Sequence, residues 1–134
     1  MTLESKLGAR LNQQYRSSGE RQVAQFLNQL RIPFQYEPDI YLKEGQKRYI
    51  WHPDFYLPQY HTIIEYLGVT GNQTYNEMAQ RKQRIYTANN YHYIPITPNQ
   101  LTNGYQHDVT KAIHNYLTSQ LSQYHKATAY FYRK

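Results

Sequence analysis

The sequence predicts a single α/β domain in which a central mixed β-sheet is flanked by helices. Its 134 residues match the usual size of one compact domain. The predicted elements follow the order α, β, β, β, α, β, α, so an antiparallel meander precedes a helix that crosses over to a last strand. We assign residues 17–126 to this domain, residues 1–16 to an N-terminal helix or arm, and residues 127–134 to a basic, aromatic tail.

Three helices are predicted from the spacing of apolar residues. The first begins at Ser17 or Ser18 and runs to about Leu30. The second and third cover about 75–88 and 108–124. Apolar alternation and turn residues predict four strands between them: one at residues 34–36 that resumes at 40–42, and others at 49–56, 62–67 and 91–96.

The composition favours a nucleic-acid partner. Fifteen Lys and Arg residues against nine Asp and Glu residues give a net charge of +6, and only one acid follows Met78. Such an excess attracts polyanions, although a solubilising surface explains it equally well. The sixteen tyrosines suit either stacking on unpaired bases or a core in which the hydroxyl tips find partners.

Several classes of protein are disfavoured by what the sequence lacks. It contains no cysteine, which excludes thiolate metal sites and gives no sign of an oxidising compartment. It has no apolar run long enough for a membrane span, no signal peptide, and no nucleotide-binding or serine-hydrolase motif. We therefore expect a cytoplasmic protein without a membrane partner.

A glutamate interrupts the most apolar predicted strand. Side chains alternate along a strand, so Ile63, Glu65 and Leu67 share one face, and the opposite face is apolar as well. Two apolar faces are typical of an interior strand covered by helices, where an unpaired carboxylate is costly. Glu65 is therefore either a site residue or an acid near a strand end that reaches solvent or pairs with an arginine.

Two further acids lie where a side chain can be aimed at a site. Asp54 follows Pro53, which cannot donate to a β-ladder and so marks a strand edge, start or bulge; an ordinary turn aspartate is the alternative. Glu20 fits a capping box with Ser17. It also precedes Val23 by three residues on the buried stripe of the first helix, and the two roles are compatible.

A hard cation would account for all three carboxylates. Carboxylate oxygens suit Mg²⁺ or Mn²⁺, which keep several waters and bind few protein groups together with a substrate phosphate. Such a metal stabilises phosphoryl oxygens and lowers the pKa of a bound water, which generates the nucleophile for hydrolysis. No Lys or Arg lies within residues 49–80, in keeping with acids that a metal neutralises.

Three segments in this order carry a resemblance to a known family: Ser18-Gly-Glu20, His52-Pro-Asp-Phe-Tyr-Leu-Pro58 and Ile64-Glu-Tyr-Leu-Gly68. Over about residues 17–98 the chain resembles the PD-(D/E)xK nuclease superfamily, especially its small helicase-associated and Holliday junction resolvase-like members. The resemblance implies a restriction-endonuclease-like core and hydrolysis of DNA phosphodiesters that depends on Mg²⁺ or Mn²⁺. It implies Asp54 and Glu65 as metal ligands, with Glu20 binding the metal directly or through water.

The sequence departs from this family at the motif lysine. The family places a lysine two residues after the second acid, where it orients the attacking water, and this sequence has Leu67 there. The candidate replacement is Lys82, since members of the superfamily supply this charge from the following helix. Lys82 lies on the inward stripe between Met78 and Ile85, where the alternative is a side chain that reaches past the apolar face to water. Tyr86 belongs either to the core or to the same pocket.

We therefore expect a magnesium-dependent DNA endonuclease with Glu20, Asp54, Glu65 and Lys82 as catalytic residues. Size and family favour branched or single-stranded DNA, Holliday junctions included, cut by a symmetric homodimer in repair or recombination. The alternative is an inactive nuclease-fold subunit that binds DNA or assists assembly, which the leucine at the lysine position favours. A third interpretation is an RNA-binding domain that uses its tyrosines.

Overall fold

The computed structural model describes residues 15–68 and 73–131. In chain order the elements are α1 (Ser18–Gln29), β1 (Gln35–Tyr36), β2 (Ile40–Glu44), β3 (Lys47–Trp51), β4 (Phe55–Leu57), β5 (Thr62–Tyr66), α2 (Gln73–Ala88), β6 (His92–Ile96), α3 (Pro98–Thr102) and α4 (Tyr105–Phe131). Residues 1–14 of the predicted arm, residues 69–72 and residues 132–134 of the predicted tail lie outside this description.

The predicted α/β fold with a mixed central sheet is confirmed. The strand order is β1-β4-β5-β6, in which β1, β4 and β5 are antiparallel neighbours and β6 is parallel to β5. The crossover between the two parallel strands is α2, as parallel pairing requires. Strand β5 is thus an interior strand, as its two apolar faces predict.

Two apolar clusters cover the two faces of the sheet. On one face Leu27 of α1 and Val109 of α4 pack with Ile64. On the other face Ile85 of α2 and the β2–β3 hairpin pack with Ile63. Because Glu65 shares a face with Ile63, it points into the layer formed by α2 and the hairpin.

The predicted continuous strand at residues 49–56 is wrong, and so is a single meander. The structure divides this segment into β3 and β4, and β2 pairs only with β3, in a separate two-stranded sheet. The break falls at His52-Pro53-Asp54, because Pro53 has no N–H to donate to a ladder. The carbonyl of Asp54 instead accepts the N–H of Glu37, at 3.0 Å, next to β1.

The first helix begins and ends where the sequence predicts. Ser17 is its N-cap, and the Ser17 hydroxyl accepts the N–H of Glu20 at 3.1 Å. The short helix α3 is an element that apolar spacing does not predict; Thr97 caps it and Pro98 stands at its first position, where a missing N–H costs nothing.

The last helix, α4, is longer than the predicted 108–124. It continues to Phe131 because no Gly or Pro lies within residues 105–131 to end it. The division of the chain at residue 126 therefore falls inside a helix, and a separate role for the tail stays a prediction. Within residues 15–68 and 73–131, no helix is long and apolar enough to cross a membrane.

Candidate active site

Asp54 and Glu65 lie side by side at the end of the sheet where β4 begins and β5 ends. Phe55 pairs with Ile64 in antiparallel register, so the next residues outward, Asp54 and Glu65, are neighbours across the two strands. The N–H of Tyr66 donates to Oδ2 of Asp54 at 2.7 Å. Strand register and this hydrogen bond together fix the position of the first carboxylate relative to the second.

Glu65 is a buried carboxylate with two donors on one oxygen. Its Oε2 accepts hydrogen bonds from Nζ of Lys82 and from the hydroxyl of Tyr93, each at 3.0 Å. The side chain of Glu65 is 8% exposed, and that of Lys82 is 35% exposed. A charge this buried requires a partner. Lys82 therefore turns toward the acids, which is the placement that a migrated motif lysine needs; its catalytic role stays a prediction.

Glu20 is held at the start of α1 by two hydroxyl groups. The Ser17 hydroxyl, which already accepts the N–H of Glu20, donates to Oε2 at 3.0 Å, and the Tyr36 hydroxyl donates to Oε1 at 2.8 Å. The residue is 7% exposed. Glu20 thus belongs to the helix cap and also lies near the acidic end of the sheet. This position is compatible with both of its predicted roles, as a capping residue and as a site residue.

The three carboxylates form one electrostatic group. Burial above all, together with the negative charges of Glu20 and Glu65, raises the pKa of Asp54 to about 7, against the opposing effects of the Tyr66 N–H and the Lys82 ammonium. Asp54 therefore resists ionisation, and it does so next to two other carboxylates. Such a site holds more negative charge than the neighbouring protein groups neutralise. A bound cation would relieve this excess.

The donor set fits a magnesium ion held by two carboxylates. Oδ1 of Asp54 and Oε1 of Glu65 accept no hydrogen bond from the described residues, whereas both oxygens of Glu20 already have donors. Among residues 15–68 and 73–131, no three His, Cys, Asp or Glu side chains form a group that could hold a metal. Because Mg²⁺ commonly takes one or two carboxylates plus waters, Asp54 and Glu65 suffice, and Glu20 suits contact through water.

A cleft of about 400 Å³ opens beside Glu65 and Lys82. Its other lining residues come from β3, α2 and the segment after β3: Ile50, Trp51, His52, Met78, Arg81 and Tyr86. Tyr86 belongs both to the core and to this pocket, and its buried hydroxyl has no partner within the described part of the chain. An unsatisfied buried hydroxyl is uncommon and indicates a polar group that a bound species can satisfy.

The structure adds residues that the sequence does not single out. Tyr36 and Tyr93 hold two of the acids through their hydroxyls, and only the strand pairing brings them there. The guanidinium of Arg81 lies 5.3 Å from the centroid of the Tyr49 ring, over the cleft wall. His52, which the sequence already offers as a candidate contact to a phosphate or a metal-bound water because it lies beside Asp54, bonds to Asp39 at 2.7 Å and also lines the cleft; the candidate role stays a prediction.

We expect Gly19→Ala to destabilise the protein and disturb the site. A Cβ at residue 19 would lie 2.5–2.8 Å from the ring of Tyr66, whose N–H holds Asp54. The ring must shift, at a cost of about 1–3 kcal/mol. Thermal unfolding measures the loss. Gly68→Ala is the matched control, because its Cβ would meet the same ring at an ordinary 3.7 Å; equal stability of the two variants would contradict the prediction.

In metal-free protein, Asp54→Asn is expected to become increasingly stabilising as the pH rises from about 4 to 7. The folded protein keeps a proton on Asp54 up to about pH 7, whereas the unfolded chain releases it near 3.8. The folded state therefore binds more protons in this interval, and wild-type stability falls as the pH rises. We expect a gain of about 1–2 kcal/mol at pH 8, since partial exposure screens the charge.

Urea unfolding in EDTA at pH 4, 6 and 8 tests this expectation. Asp108→Asn, a substitution at an exposed aspartate of α4, is the control for the general effect of removing a negative charge. A pH-independent difference between Asp54→Asn and wild type would show that Asp54 ionises normally.

Comparison with known proteins supports the fold. No protein-family model and no curated protein sequence matches the chain. Among solved structures, the catalytic domain of the homing endonuclease I-Bth0305I is similar over 75% of this chain and 97% of its own length, with a TM-score of 0.58 and 21% sequence identity. The chain shares its fold with a nuclease domain. At this identity the likeness shows the fold alone, so membership of the PD-(D/E)xK superfamily and the displaced lysine stay predictions.

Proposed function

We propose that the protein is a DNA endonuclease of the PD-(D/E)xK type that depends on Mg²⁺ or Mn²⁺. The observation that carries this proposal is the pairing of Asp54 and Glu65 on adjacent strands, with Nζ of Lys82 3.0 Å from the second carboxylate. The nuclease-type fold and the net charge of +6 support a polyanionic substrate.

The residues of the site have separable tasks in phosphodiester hydrolysis. Asp54 and Glu65 would hold the cation, which when bound supplies charge to the phosphoryl oxygens and acidifies a water. The ammonium of Lys82, 3.0 Å from Glu65, would orient the attacking water and stabilise the charge that develops on the phosphate. The hydroxyl of Tyr93 keeps the carboxylate of Glu65 in position. Water would add to phosphorus and lose a proton to the solvent, the bond to the leaving oxygen would break, and this oxygen would take up a proton from the solvent.

The proposal is tested by incubating the purified protein with end-labelled DNA. Linear duplex, single-stranded, flapped and four-way DNAs are compared in Mg²⁺, in Mn²⁺ and in EDTA. We expect cleavage that requires the metal, with a preference for the branched or single-stranded substrates. Intact DNA at every protein and metal concentration would count against an enzyme.

The alternative is an inactive nuclease fold that binds DNA or assists assembly. The observation that favours it is Leu67, which is half-buried at the family's lysine position and donates its N–H to the carbonyl of Ile96 at 2.8 Å. This alternative predicts DNA binding without cleavage in the same experiment.

We further propose that the protein acts as a homodimer through α4. The second half of this helix exposes Leu117, Leu121 and Tyr124, which recur at helical spacing and are 51%, 56% and 63% exposed. A two-fold contact between such stripes would place two sites on one DNA.

Leu117→Glu combined with Leu121→Glu is expected to convert the dimer into a monomer without loss of secondary structure, because a charge would be buried in the interface. Sedimentation velocity gives the mass of the wild type and the variant. Leu30→Glu, at an exposed leucine after α1, is the control. A wild-type protein that is monomeric at high concentration would end this proposal.

A further inference from the structure

We propose that the cleft beside Glu65 and Lys82 binds the base of an unpaired nucleotide next to the scissile phosphate. The substrate class is then DNA that is single-stranded at the point of cleavage, such as a flap, a frayed end or an open branch point. This inference rests on the proposed endonuclease function and specifies the substrate of that same site.

Part of the cleft wall that meets solvent is apolar. Ile50 of β3 and Met78 of α2 line it from two different elements and are 53% and 54% exposed. A sugar–phosphate backbone is charged and gains nothing from such walls, whereas a base presents an apolar face. Exposed apolar side chains next to a charged site indicate a surface that contacts a ligand. Because charged groups lie beside them, the ligand is expected to have both an anionic part and an apolar part.

The aromatic side of the cleft is held in place before any ligand binds. The indole ring of Trp51 stacks with the Tyr49 ring at 5.7 Å and meets the Tyr86 ring edge-to-face at 5.3 Å. A ring fixed by two others loses little freedom when a base packs on its remaining surface.

Two cations border the cleft, and each already pairs with an acid: Arg81 with Glu44 at 3.6 Å and Lys82 with Glu65 at 3.0 Å. The guanidinium of Arg81 is stacked 5.5 Å from the Trp51 ring, and Lys82 follows it in the chain and reaches Glu65. The apolar wall is thus bordered by positive charge, as single-strand sites combine stacking platforms with a basic track.

Pairing state decides which DNA can use this cleft. A volume of about 400 Å³ is that of a small-ligand pocket, so it suits one nucleotide. A base inside a duplex must first leave its stack, at a cost that is smallest for an unpaired base. Selection for unpaired DNA then follows from the shape of the cleft without base-specific hydrogen bonds.

The intrinsic fluorescence of Trp51 reports occupancy directly, because it is the only tryptophan in the chain. Oligothymidine and a duplex of the same length are titrated into the full chain in EDTA, so that no cleavage occurs. We expect oligothymidine to quench Trp51 and to bind about tenfold more weakly to Met78→Glu and Ile50→Glu, since each substitution replaces an apolar contact with the base by a charge. Both substitutions are at exposed side chains, which preserves the fold.

Two controls make the binding result specific. The added charge of Met78→Glu and Ile50→Glu should weaken duplex binding less than oligothymidine binding, and Leu30→Glu, on the other side of the sheet, should bind oligothymidine like wild type. Equal quenching by the duplex, or unchanged oligothymidine binding by Met78→Glu and Ile50→Glu, would overturn the inference.

Cleavage in Mg²⁺ is measured separately on the same DNAs, which distinguishes this inference from the proposed function. If duplex and single strands are cut equally and neither substitution changes the ratio, the unpaired-base cleft is wrong while the endonuclease stands. If oligothymidine quenches Trp51 in the expected way but no DNA is ever cut, the cleft is supported and the endonuclease is wrong.

Discussion

Glu65→Gln is expected to reduce metal-dependent DNA cleavage by about a thousandfold or more while the protein stays folded. Glutamine is nearly isosteric and keeps an oxygen that can accept the Tyr93 hydroxyl, so the packing of β5 against α2 should survive. It removes the negative charge that the proposed cation requires. Loss of charge stabilisation at a reacting phosphate costs this much or more, because Glu65 itself is buried, with its side chain 8% exposed.

The measurement is the single-turnover cleavage rate at saturating protein, together with DNA binding by fluorescence anisotropy. Binding should be unchanged or tighter, since a negative charge near the phosphate is removed. Glu77→Gln, the same substitution at an exposed position of α2, is the matched control and should cut like wild type. Wild-type cleavage by Glu65→Gln would remove this residue from the mechanism.

A second readout tests the metal without reference to cleavage. A ligand that binds only the folded state raises the free energy of unfolding, so Mn²⁺ should raise the unfolding temperature of the wild type. Glu65→Gln should lose most of this shift. Asp54→Asn should lose it as well, and the double variant should cut no more slowly than either single one, because the two carboxylates act as a unit.

The individual acids were predictable because each breaks a local pattern. Glu65 stands among apolar side chains of β5, and Asp54 follows the proline that interrupts the ladder between β3 and β4. Such violations of local preference indicate function, since a sequence optimised only for folding would avoid them. The burial of Glu65 and the break at Asp54 in the structure agree with this interpretation.

The surroundings of the acids were not predictable from the sequence. Tyr93 reaches Glu65 only because β6 pairs with β5 in one particular parallel register, and nothing within either strand specifies that register. The hairpin of β2 and β3 likewise leaves the central sheet, and this places Trp51 over α2 as a cleft wall. Both features depend on contacts between residues far apart in the chain, on which periodicity and turn residues carry no information.

The contact between Lys82 and Glu65 falls between these two cases. Helical spacing indicated that Lys82 faces inward, because it lies on a stripe with Ile85. The distance of 3.0 Å depends on how α2 crosses the sheet, which only the structure gives.

Lys82→Ala is expected to reduce the cleavage rate by about a hundredfold to a thousandfold and to change DNA affinity only a few-fold. The ammonium group is proposed to act on the attacking water and on charge that develops in the transition state, and such groups affect the rate more than ground-state binding. The protein should also become less stable, because among the residues that the structure describes the buried carboxylate of Glu65 keeps only the Tyr93 hydroxyl as a partner. Rates are therefore compared well below the unfolding temperature, with Lys126→Ala, at an exposed lysine of α4, as the control.

Returning the lysine to the family position distinguishes a migrated catalytic residue from a structural ion pair. The N–H of Leu67 bonds to Ile96, so the ladder continues one residue beyond β5, and side-chain alternation puts residue 67 on the face of Glu65. Leu67→Lys added to Lys82→Ala should then restore cleavage at least tenfold, since an ammonium group again stands beside the acids. If Lys82→Ala cuts as fast as wild type, Lys82 serves only to neutralise Glu65. The double variant could instead regain stability but not cleavage. Cleavage would then depend on where the ammonium group stands relative to the attacking water, because its presence beside the acids would not be enough.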